Sequence, residues 1–150
     1  MKEFENRLLE KKLTINYDFK AHEKVSFMGN LVALKYQIFG NLISNAIKFS
    51  EPGQEITITL DESDNGVCVH VIDNGVGIEP ELLEVLFEKN SVPSSSGTSG
   101  EKGSGLGISI VKNFVEMSHG AISVQSRTKY AHPTMHGTQF SISFKKSLLS

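Results

Sequence analysis

Residues 31–49 carry two apolar stripes at helical spacing. Leu31, Leu34, Ile38 and Leu42 form one, and Phe39, Ile43 and Ile47 form the other. A helix with this pattern is buried on more than one side, so the rest of the chain must enclose it. Ser50-Glu51-Pro52-Gly53 ends it, because proline cannot continue a helix and glycine suits the turn.

The segments around that helix come as paired strands. Leu13, Ile15, Tyr17 and Phe19 alternate over 13–19, and 24–28 is a second short strand, which together suggest a hairpin. Ile56, Ile58 and Leu60 alternate next, then Val67, Val69 and Val71, with Asp64-Asn65-Gly66 as the turn. A short helix starts at Pro80. Residues 88–102 have no period and are rich in serine and glycine, so they read as a mobile lid. A further helix runs to about His119 with Gly120 as its C-terminal cap. Strands at 121–126 and 138–144 close the chain. Residues 1–12 read as the tail of a preceding helix or linker, and 13–150 as one domain. The order β-β-α-β-β-α-α-β-β predicts an α+β fold, a two-layer sandwich of a mixed sheet with helices on one face.

Composition removes several classes of function. Lys plus Arg is 15 and Asp plus Glu is 17, a net charge of −2. That offers no basic field for nucleic acid and no polybasic patch for a membrane. Cys68 is the only cysteine, which excludes intrachain disulfides and Cys-rich zinc sites. No run approaches the roughly 18 apolar residues of a membrane span, and the N-terminal residues lack a signal-peptide core. The chain reads as cytoplasmic.

Three constellations carry chemistry. Asn41, Asn45 and Lys48 stand at i, i+4 and i+7 on one helical face. Such a polar stripe is either a solvent face or a site, and two amides with one ammonium suit a nucleoside triphosphate and its Mg2+. Asp73 ends a strand, where a carboxylate can accept a hydrogen bond from an amine such as that of adenine. Gly75 and Gly77 follow it and let backbone approach a planar ligand, although a D-N-G turn is common in its own right. Gly103-Ser104-Gly105-Leu106-Gly107 precedes a helix, where free N–H groups bind anions; a lid hinge is the plainer reading.

In combination these motifs resemble the ATP-binding domain of sensor histidine kinases, within the Bergerat-fold ATPase and kinase superfamily. N-L-I-S-N-A-I-K-F-S (41–50) is similar to that family's N box, and V-I-D-N-G-V-G-I (71–78) to its G1 box. Phe87 in L-F-E-K resembles the F box, and G-S-G-L-G-I-S-I-V-K (103–112) the G2 box. H-G-A-I-S-V (119–124) and G-T-Q-F-S-I-S-F (137–144) resemble its closing strands. The likeness spans about residues 13–145.

The resemblance implies roles at the matching positions. Asn45 would hold Mg2+ against the phosphates, assisted by Asn41. Lys48 would contact phosphate, and Phe49 would pack near the adenine. Asp73 would read the adenine amine beside Gly75 and Gly77. Ile78 and Leu106 would be apolar walls. Phe87 and Lys102 would serve the lid, Gly103, Ser104, Gly105 and Gly107 would cradle phosphate, and Thr138 would lie near the base. The implied activity is transfer of the ATP γ-phosphoryl group to a histidine on a separate helical dimerisation domain, with a response-regulator receiver domain downstream. The alternatives are a Bergerat-fold ATP hydrolase, a serine kinase and a degenerate nucleotide-binding module. Hydrolases and serine kinases of this fold typically carry a glutamate general base where this chain has Asn41. An amide is a poor base, so the position favours the histidine kinase.

The family's phosphoacceptor is a His followed by an acidic residue on a long helix. His22-Glu23 lies between two strand candidates and is not expected to act so. His132 and His136 are expected on a loop surface, His70 and His119 as structural residues, and Cys68 as a small buried hydrophobe. The stretch from Arg127 to His136 is longer than the family's usual tight turn, which predicts an extended hairpin loop.

Overall fold

The structure, a computed structural model, describes residues 2–19, 38–63, 66–87 and 107–145. The expected strand at 24–28, residues 31–37 of the long helix, the lid at 88–102, His22 and the loop residues Gly103, Ser104, Gly105 and Leu106 lie outside them.

The described elements are α1 (Lys2–Lys11), β1 (Thr14–Phe19), α2 (Gly40–Phe49), β2 (Glu55–Ser63), β3 (Gly66–Asp73), α3 (Pro80–Val85), α4 (Gly107–Met117), β4 (Ala121–Arg127) and β5 (Gly137–Lys145). Five strands form one sheet in the order β1-β2-β3-β5-β4. β1 runs parallel to β2, with Ile15 beside Ile56. The other neighbours are antiparallel, and Asp73 pairs with Thr138 at the end of the β3–β5 ladder. The sandwich and the mixed sheet are as the sequence predicts.

Alternation decides which face is covered. Val67, Val69, Val71 and Asp73 of β3 are buried, and Phe140, Ile142 and Phe144 of β5 are buried beside them. α2 packs on β3, α4 packs on β4, and the two helices touch each other. The described residues of both expected stripes are used: Ile38, Leu42 and Ile47 are fully enclosed, and Phe39 and Ile43 pack at the margin of the same core. The core lies between α2 and α4 above and β2, β3 and β5 below. On the other face of the sheet His70 meets Asp61 at 3.3 Å and Ser141 at 2.7 Å. Cys68 shares this alternate set and is half-buried, not buried as expected. No helix among the described residues is long and apolar enough to cross a membrane.

One helix end departs from the sequence expectation. α4 stops at Met117, and its left-handed residue is His119 with φ of 56°, not Gly120. The His119 N–H donates to the Glu116 carbonyl and the Gly120 N–H to the Val115 carbonyl, both at 2.9 Å, which is the paired pattern of a Schellman end. α1 ends in the same way, with Lys12 at φ of 58° and Leu13 bonded back to Leu8 at 2.8 Å. Gly120 is needed for space instead: a Cβ there would stand 2.6 Å from the Ser143 carbonyl oxygen.

Candidate functional site

The last turn of α2 and the turn after β3 meet. The Val76 N–H donates to the Phe49 carbonyl at 3.0 Å, so the end of the helix and the D-N-G-V-G turn are tied backbone to backbone. The glycines make this approach possible. A Cβ on Gly75 would lie 2.1 Å from the Phe49 carbonyl oxygen, and one on Gly77 would lie 2.3 Å from the Arg127 carbonyl oxygen. The close neighbour of both glycines is thus the chain's own backbone. Gly77 also has φ of 80°, where side chains are strained.

Asp73 sits at the centre of this junction and is 5% exposed. Its Oδ1 accepts the Gly75 N–H at 2.9 Å. Burial pushes its carboxyl up to about 6, against the downward pull of the Gly75 and Thr138 N–H groups and of His136. A carboxylate removed from water at the end of a strand, with one backbone donor on its Oδ1, can accept a further donor. Beside it Ser126 Oγ and Thr138 Oγ1 lie 2.7 Å apart, and Ser126 Oγ also accepts the Ile78 N–H at 2.8 Å. Asp73, Thr138, Leu83 and His136 border a cleft of about 610 Å3. Phe49, Gly77, Ile78 and Leu82 border a second of about 500 Å3. Both volumes lie within the range of small-molecule sites.

On α2, Asn41 and Asn45 are half-buried and Lys48 is buried. The Lys48 ammonium stands 5.1 Å from the centre of the Phe49 ring, a cation–π distance. Lys112 stands 5.7 Å over the Phe87 ring in the same manner. Gly107 opens α4. Lys102, Gly103, Ser104, Gly105 and Leu106, which the sequence reading adds to the site, lie outside the described residues. No group of three or more His, Cys, Asp or Glu side chains suited to a metal ion occurs among the described residues.

Three residues at this junction carry no motif. Lys11, from α1, is 8% exposed and donates to the carbonyls of Ile47 at 2.7 Å and Lys48 at 3.1 Å. It closes the buried C-terminal end of α2, where orphan carbonyls and the negative end of the helix dipole both favour a cation. Ser126 bridges Ile78 and Thr138. His136 is not on the loop surface as expected. It is half-buried, with Nδ1 donating to the Gly75 carbonyl at 2.5 Å. The expected extended loop spans residues 128–136 between β4 and β5, and Lys129 binds the Val76 carbonyl through its N–H at 2.9 Å. The only sequence signal for these contacts was the unusual length of that loop.

Residues 30–148 match the family model described as "Histidine kinase-, DNA gyrase B-, and HSP90-like ATPase". Among curated proteins, the sensor protein SrrB of Staphylococcus aureus is 39% identical over 90 residues, which is 60% of this chain and 15% of SrrB. The chain therefore spans a small part of the curated relatives it matches. Among solved structures, the mycobacterial sensor histidine kinase MprB superposes with a TM-score of 0.70 at 25% identity, over 96% of this chain and 91% of that one. Full-length ShkA, solved in complex with AMPPNP, superposes with a TM-score of 0.68 at 22% identity, over 95% of this chain and 27% of that one, and shows the shared fold.

Proposed function

The chain belongs to the family of histidine kinase-, DNA gyrase B- and HSP90-like ATPases, and on that footing we propose how its residues serve a catalytic ATP-binding domain of the sensor histidine kinase type. Asp73 accepts the exocyclic amine of adenine. Thr138 and Ile78 line the base pocket, Gly75 and Gly77 let the turn close beside it, and Phe49 packs against the base. Asn45 and Asn41 face the phosphates with Lys48. Lys102, Gly103, Ser104, Gly105, Leu106 and Gly107 form the phosphate loop beneath the lid, and Phe87 anchors the lid.

Mg2+ suits this donor set. The amide oxygens of Asn45 and Asn41 are hard ligands, and the ion would supply charge neutralisation between the phosphates. The remaining work is positioning. An imidazole nucleophile is already competent when neutral, so the domain needs no base of its own where Asn41 stands. The γ-phosphoryl group passes to a histidine on a helical dimerisation domain, and from there to a receiver domain of a response regulator. The setting is cytoplasmic, on a parent protein that can be membrane-anchored.

The observation that carries this reading is Asp73: a buried carboxylate fixed by the Gly75 N–H at the foot of the N-box helix. Asp73→Asn keeps its shape and turns one acceptor into a donor. Calorimetric titration with Mg-ATP is expected to show a loss of about 1–3 kcal/mol in binding. Unchanged affinity would end the adenine assignment.

A further inference from the structure

His136 holds one peptide unit at the centre of the site. A carbonyl oxygen can only accept, so His136 Nδ1 carries the proton and donates to the Gly75 carbonyl. The same peptide unit presents the Val76 N–H, which donates to the Phe49 carbonyl at 3.0 Å. The Gly75–Val76 peptide is thus pinned at both ends, by the β4–β5 loop on one side and by the end of α2 on the other. A peptide that accepts at its oxygen becomes a better donor at its nitrogen, so the two bonds reinforce each other. On the other side of the same residue, the Gly75 N–H is the donor that occupies Asp73 Oδ1 at 2.9 Å. The orientation of Gly75 therefore decides which carboxylate oxygen is engaged by the protein and which is left for a ligand. Gly75, with no Cβ, has little of its own to hold that orientation.

We propose that His136 is a positioning residue of the base site: by holding the Gly75–Val76 peptide, it aims the Asp73 carboxylate at the 6-amino group of a purine nucleotide. The inference rests on the reading of Asp73 given above and adds to it a residue from outside the motifs. It assigns a job to the long 128–136 loop, which brings His136 to the turn from 61 residues away in the chain.

The test compares two nucleotides on the full 150-residue chain by calorimetry: Mg-ADP, and Mg-purine riboside 5′-diphosphate, which has hydrogen in place of the 6-amino group. His136→Ala is expected to weaken Mg-ADP about tenfold, the loss of one good hydrogen bond, and to weaken the 6-hydrogen nucleotide less than about twofold. His136→Asn places an amide N–H near the Nδ1 position and is expected to recover most of the ADP affinity. His136→Gln places its amide one bond further out and is not, so the Asn–Gln pair decides the matter even where the alanine variant folds poorly. Equal losses for both nucleotides, or no recovery by His136→Asn, overturn the proposal, because a general structural role has no reason to sense the amine. If the unaltered chain binds both nucleotides equally, the reading of Asp73 fails and the role of His136 goes with it. If the unaltered chain discriminates and His136→Ala discriminates equally well, only the role of His136 fails.

Discussion

Burial raises the Asp73 carboxyl from an ordinary 3.8 to about 6, and the effect on stability has a definite sign. Between about pH 4 and 6 the folded chain binds more protons than the unfolded one. Its stability from this group is therefore complete below about pH 4 and is lost as pH rises through about 6. At neutral pH the ionised carboxylate costs the nucleotide-free fold on the order of 2–3 kcal/mol. Asp73→Asn removes the charge but keeps only part of the acceptor set. It is expected to raise the stability of the nucleotide-free chain at pH 7 by about 1–2 kcal/mol, a few degrees in melting temperature. A melting scan without nucleotide that shows no rise or a fall contradicts this. In the unaltered chain, affinity for Mg-ADP is expected to fall as pH drops through about 6, when the carboxylate takes up its proton. Gly77 offers a contrasting case. Alanine there must adopt φ of 80° and place a Cβ 2.3 Å from the Arg127 carbonyl oxygen. A loss of about 2–4 kcal/mol in urea unfolding is expected, with weakened nucleotide binding because the turn itself must move.

At the scale of elements, the sequence made α2 legible and hid what finishes it. Its two apolar stripes announced a helix enclosed on several sides, and the structure encloses it. Its C-terminal end is enclosed as well, so its last carbonyls need partners. Ser50 supplies a local one, Oγ to the Ala46 carbonyl at 2.6 Å. Lys11 supplies those for Ile47 and Lys48 from 36 and 37 residues away, and the Val76 N–H supplies that for Phe49. A contact of that separation leaves no periodic trace, which is why residues 2–12 read only as a tail. The capping residue of α4 was misread for a different reason: His119, like Lys12 after α1, takes a left-handed conformation without glycine, against the composition signal on which such ends are recognised. Lys11→Met keeps the buried stem and removes the ammonium. It is expected to destabilise the chain by about 1–3 kcal/mol in denaturant titration. It is also expected to lower Mg-ADP affinity, since Lys48 and Phe49 stand on the turn that Lys11 caps. Intact stability in this variant would show that the end of α2 holds itself.

The fold was readable because most of its motifs stand on elements of clear period, and their order along the chain limits which architectures can unite them. Asp73 and Thr138, 65 residues apart in sequence, meet because β3 and β5 are antiparallel neighbours in register. The sequence pattern implied both strands but not their adjacency; the resemblance placed Asp73 and Thr138 near one base, and the structure supplies the pairing. The same architecture argues what these 150 residues do on their own. They carry the N-box amides and the strand-end carboxylate, with no glutamate at Asn41 to take a proton from water. Among the described histidines, His70 is engaged by Asp61 and Ser141 on the face of the sheet opposite Asp73, His136 is engaged by Gly75, and the exposed His119 and His132 stand in turns rather than on a long helix. The chain is therefore expected to bind Mg-ATP, to release phosphate very slowly, and to form no stable phosphohistidine by itself. Mixed with a cognate histidine-bearing helical domain, it is expected to phosphorylate that histidine. In that case the rate gain comes from alignment and charge neutralisation, as in phosphoryl transfer generally. Incubation with γ-labelled ATP, with and without the helical domain, separates the outcomes. Label on the isolated chain at His22 makes that residue an acceptor after all. Fast steady release of phosphate identifies a hydrolase. Tight ATP binding with no transfer to any cognate domain leaves a nucleotide-binding module that has lost its chemistry.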